Sequence, residues 1–456
     1  MKYAILLLAA SCLLSAASAQ TGWWRTYGGP NDDAGYDVQQ TSDGGYVVVG
    51  HTDPTGSGDC DMFLVKTDSA GDTLWTRTYR GSYYNEARGI QQTADGGYVI
   101  TGFAGNPLTA DYDLYLIKTD SHGDTLWTRF YGGPDEDMGM CVRQTTDSGY
   151  VVVGHTRSFG AGQYDVYLVR TDKNGDSLWT RTYGGTWFDE GQTVDQTADG
   201  GFIVAGTTGT AYDIYLIKTT ANGDTLWRRT YAGTDFDEVG TELGPTLDGG
   251  YIITGLTDSL GAGGHDVCLI KTGASGDTLW TRTYGGTGDD GGHAVQQTAD
   301  GGYIIAGTTY SFGARFADVY LIKTNALGDT LWTRTYGGTS YDEGYAVQQT
   351  TDGGYIIAGC TSSFGAGNYD VYLIKTDALG RLAVAEEGPD SQTPSRRLAA
   401  TVLSGASGAG RLASCIVFDA MGRRVANPRS GIFFVRGKPQ AVSPKPQAVR
   451  KVIIAE

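Results

Sequence analysis

Between glycine-rich breaks the chain alternates apolar and polar positions with the two-residue period of half-buried strands. In the stretch Asp318–Gly338, Val319 and Leu321 alternate with their neighbours up to a turn at Gly328–Asp329. Leu331–Tyr336 then resumes the strand pattern before a double glycine. No window sustains an apolar period of about 3.6 residues, so the pattern predicts strands and no helices. The residues after this stretch complete a unit of four strands. Tyr345–Thr350 reads as strand a, Gly354–Gly359 as strand b and Asp370–Lys375 as strand c, with a Leu-Trp-Thr-Arg-Thr-Tyr strand d seen in earlier copies. Asp352-Gly353 predicts a type I′ hairpin between a and b, because Asp-Gly tolerates positive φ at both central positions. Cys360–Tyr369 is the longer b-to-c loop.

This unit recurs. The strand-d tryptophans are Trp23, Trp75, Trp127, Trp179, Trp227, Trp280 and Trp332, spaced by 52, 52, 52, 48, 53 and 52 residues. A period near 50 marks a repeat architecture. Strand b (headed by Tyr46, Tyr98, Tyr150, Phe202, Tyr251, Tyr303 and Tyr355) and strand c each occur seven times. Strand d also occurs seven times, but its first copy, Trp23–Tyr27, precedes the first strand a, and no Trp follows the last strand c. An orphan d at one end and an orphan c at the other suit a closed ring. The expectation is an all-β, seven-bladed β-propeller over residues 20–380, with four-stranded blades and the N-terminal strand closing the last one. An open solenoid would need polar caps, and neither end resembles a cap.

Seventy glycines and 29 tyrosines fit such a fold. Charge adds a division. The chain carries −17 overall, yet residues 381–456 hold 12 Lys/Arg against 5 Asp/Glu, so the repeats are more acidic still. That field repels nucleic acid, which is discounted as a partner. Met1–Ala19 reads as a secretory signal peptide, with Lys2, an apolar core at Ala4–Ala10 and a small-residue site at Ala17-Ser18-Ala19. No later segment has the length of a transmembrane helix. Residues 381–410 read as a linker, and residues 411–456 as a small β domain. Cys60, Cys141, Cys268, Cys360 and Cys415 lack metal or redox spacing. Ring closure would make the first and last repeats neighbours, so one bridge, Cys60–Cys360, is conceivable.

Two resemblances add to this. The turn Asp68-Ser69-Ala70-Gly71-Asp72-Thr73-Leu74-Trp75 is similar to the Asp-box of sialidase-type propellers, stretched by one residue on each side of the glycine. The likeness implies a structural hairpin between the third and outer strands and carries no catalytic residue. Ile416-Val417-Phe418-Asp419-Ala420-Met421-Gly422-Arg423, Ser430-Gly431-Ile432-Phe433-Phe434-Val435 and Lys451-Val452-Ile453-Ile454 resemble, in order, motifs of the C-terminal sorting domain of the type IX secretion system. That resemblance implies a β-sandwich-like export address and secretion machinery as a partner. The expected location is then secreted or on the outer cell surface, reached via the periplasm.

Chemistry is harder to read. The strand-d arginines (Arg25, Arg77 and their equivalents) are expected to pair with the strand-c aspartates between blades, as buried charges need partners. The histidines, His51, His122, His155, His265 and His293, fall in what read as loops and share no motif. No catalytic constellation stands out. The expectation is a non-enzymatic, monomeric binding or display module for a glycan or protein. The competing readings are a glycan hydrolase using loop carboxylates and a purely structural envelope protein. With d outermost, the d-to-a and b-to-c loops share one end of the ring, where binding should concentrate. Candidate ligand contacts there are Tyr84, Trp187, Phe188, Phe236 and Tyr341. Six positions after each strand-d Tyr stand Asp33, Asn85, Asp137, Asp189, Asp237, Asp290 and Asp342. They read first as turn caps; no cofactor is expected, with Ca²⁺ a second use of the aspartate oxygens.

Overall fold

The computed structural model describes residues 22–81, 84–106, 111–231 and 240–382, and the backbone of four short strands in the tail. The leader and most of the tail, including Cys415, lie outside the described residues. So do Phe236 and Asp237. The chain divides into two compact units, Met1–Ala385 and Glu386–Glu456.

The first unit is a seven-bladed propeller. Each blade is an antiparallel four-stranded sheet in the order a-b-c-d; blade 1 runs Asp33–Gln40, Tyr46–Thr52, Asp61–Thr67 and Thr73–Tyr79. Blade 7 takes its a, b and c from Asp342–Gln349, Tyr355–Thr361 and Asp370–Thr376, and its d from Trp23–Tyr27. The register is Trp23↔Lys375 through Tyr27↔Val371. In the second unit, Arg424–Val425, Ile416–Phe418, Gly431–Arg436 and Arg450–Ile454 pair in that order as one sheet. The rest of the expected sandwich lies outside the described residues.

Strands b and c are apolar on both faces because both face another blade. Val47 and Val49 of blade 1 pack with Ile90, Tyr98 and Ile100 of blade 2 in one buried cluster, and equivalent clusters join the other blades. Each strand-d Trp meets the strand-b aromatic of the next blade, edge-on in six of the seven pairs, as Trp75 does Tyr98 at 6.0 Å, and tilted in Trp227–Tyr251. Each strand-d Tyr donates its hydroxyl to the c-to-d turn glycine of the next blade, as Tyr79 does to the Gly123 carbonyl at 2.8 Å. The Asp-box-like turns behave as hairpins. Asp68 Oδ1 accepts from the Ala70 and Asp72 amides, both at 2.9 Å, and Gly71 sits at φ 81°.

Three local readings need correction. The a-to-b hairpin is not type I′, since Gly44 has φ 83° while Asp43 does not have positive φ. Gly44 N donates to Thr41 O, and Thr41 N to Gly45 O, both at 2.9 Å, which makes a type I turn followed by a glycine bulge. In blade 3, Ser148 takes the same strained position at φ 69°. The strand-d arginines also choose other partners. Arg77 lies over its own Trp75 ring at 5.3 Å and reaches Asp124 in the next blade's c-to-d turn at 3.1 Å, in a largely exposed site. The strand-c aspartate instead caps the b-to-c loop, as Asp165 Oδ2 does for Ala161 N and Gly162 N. The buried strand-c cation pairs with the a-to-b turn, as Lys66 Nζ does with Asp43 at 2.9 Å. Cys60 and Cys360 are separate buried thiols, so the bridge conceived from ring closure is not formed.

Candidate functional site: the central channel and its loop-end mouth

Strand a begins earlier than its apolar pattern suggests. The Asp33-type residue is its first member, and the register shifts between Gly35 and Asp37, which leaves Tyr36 unpaired in a bulge. The same shift recurs in all seven blades. Opposite the bulge a Cβ on Gly50 would collide with the Ala34 carbonyl, so the kink needs glycine there. The bulge sets the strand-a residues toward the axis. A cavity of about 390 Å³ is lined by Tyr36, Arg88, Met140, Gln192, Glu242, His293 and Tyr345, at least one residue from each blade. It is the central channel.

Below the mouth, glutamines close the ring. The Gln39, Gln91, Gln296 and Gln348 side chains each accept from the next blade's strand-a amide at 2.5–2.6 Å. Blades 3 to 5 break this ring, with Arg143, Asp195 and Gly244 in the glutamine position. Arg143 cannot accept a hydrogen bond; its Nε lies 3.3 Å from Asp195 Oδ1. Asp195 is free to turn toward it because the next strand offers Pro245, which has no N–H. Two more carboxyls complete the cluster. Asp37 accepts from Ile90 N at 2.9 Å and Val38 N at 2.8 Å, and Glu242 accepts from Val295 N at 2.9 Å. Asp37, Arg143 and Glu242 border both the 390 Å³ cavity and a second one of about 240 Å³ toward the opposite end.

Burial raises the carboxyls of Asp37 and Asp195 above the ordinary Asp range. Burial, and then repulsion from Asp37, pushes Glu242 up to about 8. Arg143 and Asp195 keep 26% and 24% of their side-chain surface accessible, so the site is wet from the channel. The arrangement lines the channel with carboxyls raised by burial, Asp37 and Glu242, next to the Arg143–Asp195 pair.

At the mouth, the Arg88 guanidinium lies 4.2 Å over the Tyr36 ring and pairs with buried Glu86. Tyr345 stacks obliquely on Tyr36 at 5.3 Å, meets His293 at 5.7 Å and donates to Glu343 at 2.6 Å. His51, His155 and His293 stand on strands, not in loops. Burial lowers the pKa of all three, that of His155 to about 4.

The d-to-a and b-to-c loops do share this end, since Asp53 N donates to Asp32 O at 2.9 Å. The loop aromatics do not gather. Phe188 stacks with Tyr212 at 5.8 Å, Tyr341 meets Phe316 at 4.9 Å, and Tyr84 packs on Phe103 while donating to Glu86 at 2.9 Å. Trp187 is 54% exposed. The described aspartates cap turns. Asp33, Asp137, Asp189, Asp290 and Asp342 are buried, and one oxygen of each accepts a loop glycine amide at 2.7–2.8 Å. Ser158, Ser311 and Ser363 add hydroxyl donors to three of them. Among the described residues no three His, Cys, Asp or Glu side chains are grouped to hold a metal ion.

The channel cluster was missed by reading one blade at a time. Aligning the seven strand-a ends (DVQQ, GIQQ, CVRQ, TVDQ, ELGP, AVQQ and AVQQ) isolates Asp37, Arg143, Asp195 and Glu242 as departures.

No protein-family profile matches the chain. A segment is 27% identical over 119 residues to the regulatory protein FlaEY of Caulobacter vibrioides, covering 23% of this chain and 12% of that protein. Among solved structures, the Neurospora crassa Pan2 WD40 domain is similar with a TM-score of 0.46 at 9% identity, covering 77% of this chain and 95% of that one. A Penicillium chrysogenum α-L-arabinanase gives 0.41 at 10%, covering 79% and 99%. Sqt1 of Chaetomium thermophilum gives 0.44 at 9%, covering 72% and 80%.

Proposed function

We propose that this is an exported, non-enzymatic binding propeller that holds a polar ligand, a glycan or a peptide, at the loop-end mouth of its channel. One observation carries this. Scaffold positions (the strand-d Trp, Arg and Tyr and the turn Asp) repeat from blade to blade, whereas the bulge position changes in almost every one: Tyr36, Arg88, Met140, Gln192, His293, Tyr345. A scaffold needs sameness, and a site for an asymmetric ligand needs difference at one place. Aromatic faces beside carboxylates suit sugars or peptides. The loop residues Trp187, Phe188, Tyr341 and Tyr84 would add outlying contacts, and Ca²⁺ through the turn aspartates would be at most a helper.

Carbohydrate and peptide arrays probed with the full chain should return a ligand. Replacing Tyr36 and Tyr345 with Ala should then weaken it at least tenfold, and the Trp187, Phe188, Tyr341 triple Ala variant less. Undiminished binding by a folded Tyr36/Tyr345 variant would move the site off the mouth.

Export rests on the leader and the tail motifs. Deleting residues 411–456 should leave a folded propeller retained in the periplasm, measured by cell fractionation. Unaltered secretion would remove the tail as an address. A hydrolytic reading has one specific support, the pairing of Glu242, neutral to about pH 8, with Asp37. A carboxyl kept protonated near neutral pH suits a general acid.

A further inference from the structure

In the six blades whose strand-a start is described, the residue after the Asp33-type position faces a strand-b residue across the ladder. The pairs are Ala34↔His51, Met138↔His155, Glu190↔Thr207 and Glu343↔Cys360. Blade 6 pairs Gly291 with Thr308. Side chains directly opposite share one face and fill one space, so a glycine leaves that space open. A cavity of about 220 Å³ lies there, bordered by Asp289, Asp290, His293, Thr308, Tyr310 and Glu343. His293 also lines the central channel, so the pocket is a side chamber of the mouth.

Thr308 is 8% exposed, and its hydroxyl has no hydrogen-bond partner. A buried hydroxyl left unpaired costs free energy, so a ligand atom there is favoured. Thr207 is equally unpaired, but Glu190 stands across from it where blade 6 has only Gly291. Asp290 spends one oxygen on Gly286 N and the Ser311 hydroxyl, while its other oxygen is buried without a partner. Glu343 accepts from Tyr345, and Asp289 holds His265 at 3.4 Å. The lining contains three carboxylates and no Lys or Arg. Burial keeps His293 toward its neutral form.

Such a chamber wants positive charge. A hard metal ion needs its oxygens converging within about 2.6 Å, and the described acidic and histidine side chains form no such group. An ammonium is less demanding, since its three donors reach separate acceptors. We propose that the chamber binds an alkylammonium group, with Glu343 and Asp289 supplying charge, Thr308 an acceptor oxygen, and Tyr310 a wall for the methylenes. This rests on the mouth being the binding end, and it names the chemistry taken there: a free amine or the lysine side chain of a peptide.

Calorimetric titration of the full chain with n-butylammonium and with butan-1-ol tests it. The amine should bind at least tenfold more tightly than the alcohol and weaken with added salt. Glu343→Gln should cost about tenfold or more. Gly291→Met should abolish binding. A Cβ on Gly291 would meet nothing nearer than Leu256 Cδ2 at 3.8 Å, and blade 3 carries Met138 at this place, so the variant should melt like the parent. A lysine pentapeptide that outcompetes butylammonium identifies the peptide source, and an equal affinity the free amine; either supports the chamber. Equal binding of the alcohol, or amine binding unchanged in folded Gly291→Met, overturns it. The reading of the mouth fails separately, through array binding that survives loss of Tyr36 and Tyr345.

Discussion

Removing residues 22–29 is expected to open the ring and leave a chain that aggregates. The strand Trp23–Tyr27 is the outer strand of blade 7 and has no substitute elsewhere in the described chain. It supplies five ladder positions along Val371–Lys375. Trp24 stacks on Phe364 at 4.8 Å, and Trp23 meets Tyr46 of blade 1 edge-on at 5.8 Å. Tyr27 donates to the Gly71 carbonyl at 2.7 Å, so the strand ties blade 7 to blade 1 as well. At about 1.5–3 kcal/mol per large buried side chain, these half-buried aromatics together contribute roughly 5 kcal/mol. That is a large part of the about 5–15 kcal/mol that holds a domain folded. The deletion also bares strand c of blade 7, an apolar edge that templates association. Thermal melting and size-exclusion chromatography check it. A truncated chain that melts with the parent and stays monomeric would show that the closure does not hold the ring.

This closure was legible in the sequence because it is a matter of counting: seven of each strand, with d leading and c trailing. The turn after the last strand c persists even though its Trp is gone. Asp377 N still bonds to Arg381 O, and Gly380 accepts the Tyr336 hydroxyl at 2.8 Å. The hairpin Asp residues were legible for the same reason, since Asp43 and its copies serve identical local bonds. Partner choice was not. Across the seam to the next blade Arg77 meets Asp124 of the c-to-d turn and not a strand-c aspartate, a choice that depends on how far along the strand each side chain reaches. The channel was hidden by a single residue. Without the bulge after Gly35, Tyr36 and Asp37 read as ordinary alternating strand positions, and their lining of the channel follows only from that shift. The histidines were misplaced because strand b runs on past its glycine, through His51 and His155 to Thr52 and Thr156.

Glu242 is expected to make stability fall as pH rises from about 4.5 to about 8, and Glu242→Gln to remove its share of that fall, leaving the smaller one from the raised carboxyls of Asp37 and Asp195. Glu242 is raised to about 8 by burial and by Asp37, against an ordinary value of 4.5. Below 4.5 both folded and unfolded chains hold this proton. Between the two values the unfolded chain releases it and the folded chain keeps it, so the folded state binds more protons and loses stability with each step upward. Above 8 both have released it and the loss levels off. Full desolvation would make the loss larger, but Glu242 borders a water-accessible channel, so on the order of 2–4 kcal/mol is expected. The turn aspartates act at the other extreme. Asp43, Asp199 and Asp248 are held down to about 2, in each case with a strand-c lysine and a turn amide and hydroxyl as donors. Their contribution is present above 3.8 and lost on acidification toward 2. Denaturant titrations of parent and Glu242→Gln across pH 4 to 9 should therefore coincide near pH 4 and diverge above it, with the variant the more stable by pH 8. Curves that stay parallel would mean Glu242 is ionised at neutral pH, and the hydrolytic reading would lose its acid. If any glycan cleavage is found, the same variant should abolish it, because glutamine keeps the hydrogen bond to Val295 N but has no proton to give to a leaving group.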